Sequence, residues 1–249
     1  MPDRTRLIEY LRQRTELGDH ALYLDSMTAQ QFVDLLNTNP STLVPPVPSP
    51  GPRPIPDPRP QPTTTPEPLR VLQQEAAACT ACGLHTGRTH SVFARGNPTS
   101  PIVVVGEAPG EEEDRTGLPF VGRAGKLLDL MLAAIGFSKD SVYICNTLKC
   151  RPPGNRNPQP AELAACHRFL RGQLEVIQPR VLLAVGKFAA QTLLHSEESI
   201  GRLRGQVHTH EGRPVVVTYH PAYLLRSPYA VRTAWADFQL LRKVIDDQV

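Results

Sequence analysis

The chain has 249 residues, 40% of them hydrophobic and 20% charged, enough for one sizeable folded domain plus an appendage. It contains no run of apolar residues long enough to span a bilayer and no signal-peptide pattern at its N-terminus, so a soluble cytoplasmic protein is the expectation. The formal net charge of +3 is unevenly spread: residues 1–68 hold six Lys/Arg against eight Asp/Glu, and residues 69–249 hold 21 against 16, a distribution that suits a nucleic-acid partner for the larger part.

Residues 4–14 and 28–37 carry apolar positions at helical spacing (Leu7, Ile8, Leu11; Phe32, Val33, Leu35, Leu36), which predicts a short helical extension over residues 1–39. Helices this short are marginal alone. From Pro40 to Pro68 there are 13 prolines in 29 residues, a composition that favours extended polyproline II and makes residues 40–68 a semi-rigid linker. Such a tether suits an appendage without chemistry of its own, or one that recruits a replication or repair protein.

From residue 69 onward the pattern alternates strand and helix. A helix over residues 68–78 leads into Cys79. Ile102-Val103-Val104-Val105 is a buried strand, followed by a helix over about 123–136 that ends at Gly136. Val142–Cys145 is a second strand, 160–177 a helix with proline in its first turn, Val181–Val185 a third strand and Val215–Tyr219 a fourth, before a final helix over 229–246. Strands separated by helices predict a parallel sheet with right-handed crossovers, hence an α/β domain, a three-layer α/β/α sandwich around a four-stranded parallel sheet, spanning 69–249.

Ligands of such sheets bind beyond the carboxyl ends of the strands. Three segments fall there: Gly106-Glu107-Ala108-Pro109-Gly110 after the first strand, Asn146 after the second, and His220 after the fourth. An acid, an amide and an imidazole at one sheet edge make a candidate active site. The four consecutive acids Glu111–Asp114 argue against a phosphate cradle in the first loop.

Five cysteines occur. Cys79-x-x-Cys82, with Cys150 and Cys166, supplies four candidate metal ligands, while Cys145 lies inside a strand and reads as a core residue. The spacing leaves structural zinc, a [4Fe–4S] cluster and a redox CxxC all open.

Taken together, Gly106–Asp114, Pro119-Phe120-Val121-Gly122, Asn146, Lys149-Cys150-Arg151-Pro152-Pro153-Gly154-Asn155 and His220-Pro221-Ala222-Tyr223-Leu224-Leu225-Arg226 resemble the family 4 uracil-DNA glycosylases, which carry an iron–sulfur cluster. The resemblance covers about residues 70–245. It implies a uracil-DNA glycosylase-like fold, a [4Fe–4S] cluster on Cys79, Cys82, Cys150 and Cys166, and monofunctional hydrolysis of deoxyuridine in DNA to uracil and an abasic site, the first step of base excision repair. It implies uracil-containing DNA as partner and a monomeric enzyme. A relative that binds uracil-DNA without turnover is the rival. Such relatives carry a basic insertion ending in histidine after the second strand, and Arg151–Pro158 contains none.

Placed on that resemblance, Phe120 stacks on the flipped base, Asn146 reads its O4 and N3–H edge, and His220 donates to O2 as negative charge develops there. Glu107, Ala108 and Pro109 line the base site. Better-known uracil glycosylases carry aspartate where this chain has Ala108, which leaves Glu107 or Glu113 to position water. They carry tyrosine where this chain has Gly110, so Glu113 is also a candidate for excluding thymine, and Glu107 for orienting Asn146. Glu111, Glu112 and Asp114 read as solvated or N-cap acids. Leu224, Leu225 and Arg226 supply the wedge that fills the gap left by the flipped nucleotide. Arg226, Arg123, Lys149, Arg151 and Arg156 are candidate phosphate contacts.

Overall fold

A computed structural model of the chain describes residues 65–247. The chain divides into the units Met1–Gly51 and Pro52–Val249. The expected helical extension, and all of the Pro-rich linker but its last few residues, lie outside the described residues.

The elements in chain order are α1 (Glu67–Ala78), β1 (Arg95–Gly96), β2 (Ile102–Gly106), α2 (Glu111–Thr116), α3 (Arg123–Ala134), β3 (Tyr143–Asn146), α4 (Pro160–Ile177), β4 (Val181–Val185), α5 (Lys187–Leu194), α6 (Ile200–Leu203), β5 (Val207–His210), β6 (Arg213–Thr218), α7 (Pro221–Arg226) and α8 (Val231–Asp246). The sheet runs β1-β3-β2-β4-β6-β5. Its four central strands are parallel, as the buried apolar runs require, and in register Gly106 lies beside Asn146 and Val185 beside Thr218. The expected four-stranded parallel sheet is therefore present, with two antiparallel edge strands added.

Those two strands carry little sequence signal. β1 is two residues long, and β5 joins β6 through a Glu211-Gly212 turn in which both residues have positive φ, the geometry of a tight hairpin. The short helix α2 was also not foreseen. Its first turn contains all four acids, where carboxylates offset the positive end of the helix dipole.

Alternate residues of the central strands feed two cores. Val103, Val105, Leu182, Ala184 and Val217 pack with Leu69 of α1, Phe169, Leu170 and Leu174 of α4 and Ala190 of α5. Ile102, Val104, Leu183, Val185 and Val216 pack with Leu128 and Leu132 of α3 and Phe238 and Leu241 of α8. The result is the three-layer α/β/α arrangement. No helix among the described residues is long and apolar enough to cross a membrane.

Candidate active site

The loops that follow β2, β3 and β6 meet at one edge of the sheet, as the strand directions demand. They enclose a cavity of about 370 Å³ lined by Glu107, Ala108, Pro109, Gly110, Glu113, Phe120, Asn146, His220, Tyr223 and Arg226, among others. This is at the small end of the range for small-molecule sites. All of the residues expected to touch the base converge here.

Asn146, the last residue of β3, is 1% exposed, and its Oδ1 is buried with no hydrogen-bond partner. A buried amide oxygen left unpaired costs about 1–3 kcal/mol, so the position is held against stability. Gly106 is what lets Asn146 and Phe120 approach each other. A Cβ on Gly106 would lie 2.3 Å from Asn146 Oδ1 and 2.5 Å from Phe120 Cζ. Gly106→Ala is therefore expected to fold but to push these two side chains apart, lowering kcat/KM for the reaction of this cavity by about tenfold or more. Steady-state kinetics beside a thermal melt would check it.

Phe120 is buried and has φ of 55°, a conformation that costs a non-glycine residue about 1 kcal/mol or more. Three features hold it. Arg95 Nε donates to Pro119 O at 2.8 Å, and Arg95 Nη2 donates to Phe120 O at 3.3 Å while pairing with Asp129 at 2.6 Å. Gly125 in the first turn of α3 leaves room for the Phe120 carbonyl, which a Cβ would meet at 1.8 Å. The third is Glu113.

Both Glu113 oxygens are engaged. Oε2 accepts from Gly110 N at 3.1 Å, and Oε1 accepts from Val121 N and Gly122 N at 2.9 Å each. The carboxylate thus joins the N-termini of α2 and α3 and fixes the loop bearing Phe120. Glu107 differs. It is half-buried, burial raises its carboxyl above the usual range, and its backbone carbonyl accepts from Thr147 Oγ1 and Leu148 N. Asp114 is 5% exposed and accepts from Thr89 N through both oxygens, so it is an internal brace and not the solvated or N-cap acid expected.

His220 caps α7. Its Nδ1 accepts from Ala222 N at 3.1 Å, so that nitrogen carries a lone pair and the neutral ring bears its proton on Nε2. Burial pushes the imidazolium pKa down to about 4, the Arg226 charge adding to the effect and Glu113 opposing it. The ring centre lies 5.8 Å from that of Phe120, tilted by 30°.

The candidate wedge separates into parts. Leu224 is 2% exposed and belongs to the core between α3 and α8, with no surface left to insert between bases. Leu225 is half-exposed and Arg226 exposed. The candidate phosphate contacts also divide. Lys149 is 1% exposed, which overturns its assignment as a phosphate contact. Arg156 is bound through both terminal nitrogens to Glu162, at 2.6 and 2.9 Å, where it secures the capping box of α4. Arg151 donates to Asn155 Oδ1 at 2.8 Å and lies 3.6 Å from Glu111.

Cys79, Cys82, Cys150 and Cys166 line a second, smaller cavity, and none of the four is in a disulfide. N–H groups point at two of the sulfurs: Arg88 Nη1 donates to Cys150 Sγ at 3.1 Å, and Lys149 N donates to Cys166 Sγ at 3.3 Å. Burial pushes the Cys166 thiol up to about 11. Among the described residues no three His, Cys, Asp or Glu side chains converge on the position of a single metal ion. Cys145 lies fully buried in β3, the core residue expected.

The residues that sequence reasoning passed over are the supports: Gly125, Arg95 and the clamping role of Glu113, while Gly106 stood in the first-loop motif without its packing reason. Each acts through the way the chain folds back on Phe120, which no residue pattern announces.

Residues 93–239 match the model of the uracil DNA glycosylase superfamily, an interval that holds Phe120, Asn146, Cys150, Cys166 and His220. The chain is 47% identical over 163 residues to a type-4 uracil-DNA glycosylase of Thermotoga maritima, covering 65% of this chain and 85% of that one. It is 44% identical over 181 residues to a type-4 enzyme of Archaeoglobus fulgidus, covering 70% and 91%. A type-4 enzyme of Sulfurisphaera tokodaii is 37% identical over 185 residues, covering 71% and 84%. With this extent of match on the superfamily fold, the chain belongs to the type-4 uracil-DNA glycosylases.

Proposed function

We propose that the domain over residues 69–249 removes uracil from DNA by hydrolysing the bond between N1 of the base and C1′ of the sugar. The observation that carries this reading is the unpaired, buried Oδ1 of Asn146 on the wall of a base-sized cavity. It is an acceptor waiting for a donor, and uracil offers one at N3–H. The amide Nδ2 of the same side chain supplies the donor for O4. Cytosine presents an acceptor at N3 and a donor at its exocyclic amine, so both contacts would set like against like.

A base inside a duplex is out of reach, so the nucleotide flips into the cavity at a cost of a few kcal/mol. Phe120 offers its ring face to the base. Leu225 and Arg226, on the exposed side of α7, are the wedge and phosphate contact that remain once Leu224 is assigned to the core. Water attacks C1′ as the C1′–N1 bond breaks, and the bonding pair passes to the uracil, where charge gathers on O2. His220 Nε2–H donates to that oxygen without transferring its proton. Glu107, with its raised pKa, is the carboxylate that orients the water and accepts its proton, because both oxygens of Glu113 are already occupied.

The four cysteines suit a [4Fe–4S] cluster. They are gathered around one small cavity, and N–H donors of the kind that stabilise cluster sulfurs are directed at two of them. When bound, the cluster supplies a covalent tie between α1, the Lys149–Cys150 segment and α4, not a reacting centre.

The test is to incubate the anaerobically purified protein with a single-uracil oligonucleotide, then apply alkali and a denaturing gel. Cleavage at the uracil only after alkali is the expected result. A retarded or covalently shifted oligonucleotide without cleavage would reassign the protein as a uracil-DNA binder.

A further inference from the structure

Lys149 heads the large side chains that are fully enclosed. Lysine is almost never buried to this degree unless its head group is held. Here Nζ donates to the backbone carbonyl of Asn146 at 2.7 Å and to Gln173 Oε1 at 2.7 Å, and it lies 5.7 Å from the centre of the Phe93 ring. Gln173 of α4 is held in turn, donating to Phe93 O at 3.1 Å and to the Tyr143 hydroxyl at 3.0 Å. Every member of this buried polar network has a partner.

The main chain of the same residue faces the cysteines. Lys149 N donates to Cys166 Sγ, Lys149 O accepts from Val92 N at 2.8 Å, Cys150 is the next residue, and Lys149 itself lines the cysteine cavity. One residue therefore touches both sites. Its backbone is fastened to the sulfur centre, and its side chain grips the peptide of the residue whose unpaired Oδ1 lies on the base cavity.

We propose that Lys149 is a positioning residue that locks the Asn146 peptide, and through it the base-reading amide, to the four-cysteine centre, so that selection of uracil over cytosine depends on the integrity of that centre. The proposal rests on the base-reading role of Asn146 given above. The physical reason is directional. Two opposed hydrogen bonds to one base edge demand that the amide plane be held to within a few tenths of an ångström, and β3 ends at Asn146. Beyond that point Thr147 N donates to Gly106 O at 2.9 Å, and Leu148 N and Thr147 Oγ1 to Glu107 O, while the carbonyl of Asn146 itself is held by the Lys149 grip. Freeing Cys150 and Cys166 would free the segment that aims Nζ. The carbonyl of Asn146 would then lose its donor, and the side-chain amide its bearing.

The experiment compares wild type, Lys149→Met, Gln173→Met and Asn146→Asp, all purified anaerobically. It measures iron per chain, visible absorbance, substrate dissociation constants, and single-turnover excision of uracil and of cytosine from matched oligonucleotides. For Lys149→Met the expected result is iron content near wild type, an uracil rate lower by about tenfold with DNA affinity within about twofold, and a cytosine-to-uracil ratio raised by about tenfold or more. Gln173→Met, which removes the second partner of Nζ together with the donor to Phe93 O and the Tyr143 hydroxyl but leaves the Lys149 bond to Asn146 O, should move the ratio the same way by less, and it decides the matter if Lys149→Met does not fold. Wild type partly depleted of iron should show the same rise in ratio.

A lysine that merely fills the core would lower the melting temperature and leave rate and ratio of the folded enzyme unchanged, which overturns the proposal. A lysine that only offsets charge on the sulfur centre would lower iron content while the loaded fraction kept the wild-type ratio, which also overturns it. The Asn146→Asp control separates the two layers. If that variant stays uracil-only, the base-reading assignment fails and takes the proposal with it. If it loses selectivity while Lys149→Met does not, only the linkage fails.

Discussion

Replacing His220 with alanine is expected to lower kcat for uracil excision by about 100- to 1,000-fold with little change in KM, the loss typical of removing one donor aimed at developing negative charge. The direction of that donor follows from the backbone. Because Nδ1 is committed to Ala222 N, the neutral ring can present hydrogen only at Nε2. Burial, with the nearby Arg226 charge, holds the pKa near 4, and protonation would also set an Nδ1 donor against the Ala222 donor. Glutamine at 220 can offer an N–H of its own and should recover part of the lost rate, whereas alanine cannot.

A pH series checks the same assignment twice. A catalyst that acts as the neutral ring gives no inflection in kcat from His220 between pH 5 and 8, where an ordinary histidine would titrate. Stability behaves differently. The unfolded histidine takes up its proton near pH 6.5 and the folded one only near 4, so the native state gains from the difference above pH 6.5 and loses it as the pH falls toward 4. Denaturant melts should therefore show wild type losing stability relative to His220→Gln between pH 7.5 and pH 4.5. A wild-type kcat profile with a limb near pH 6.5 that vanishes in His220→Gln would show that the imidazolium, not the neutral ring, is the acting form.

Asn146→Asp is expected to produce the largest change in specificity. Sites built around hydrogen bonds reject a mismatched analogue by about 10⁴- to 10⁵-fold, and the amide supplies both contacts. A carboxylate accepts from the exocyclic amine of cytosine and repels O4 of uracil. Excision of uracil should fall by about 100-fold or more while cytosine excision becomes measurable, so that the ratio of the two rates moves by at least about 10³-fold. Single-turnover assays on paired uracil and cytosine oligonucleotides would read this directly. A variant that remained confined to uracil would mean that discrimination comes from cavity shape, with the unpaired Oδ1 serving some other contact.

Much of this molecule is written locally. The four runs Ile102–Val105, Tyr143–Cys145, Val181–Val185 and Val215–Val217 are apolar on both faces, which only a strand covered on both sides tolerates, and the helices between them carry their own stops and starts. Parallel order and right-handed crossovers then leave almost no freedom in where Glu107, Asn146 and His220 emerge. The ends of parallel strands coincide, so three distant segments arrive at one edge.

What only tertiary structure decided is which side of each residue faces what. Residues 111–114 are four acids in a row, yet Glu113 spans two helix N-termini, Asp114 braces Thr89, and Glu111 and Glu112 stay exposed, because consecutive helical positions point about 100° apart. In α7 the same rotation sends Leu224 into the core and Leu225 toward solvent. Lys149 and Arg156 read as surface cations in a string of basic residues, yet Lys149 is held by Gln173, 24 residues on in α4, and Arg156 by Glu162 in the first turn of that helix. The need of Gly106 and Gly125 to lack a side chain exists only because Phe120 is folded against both. Motif spacing determines where chemistry can gather, while the contacts between segments far apart in the chain determine which of the gathered groups are left open to act.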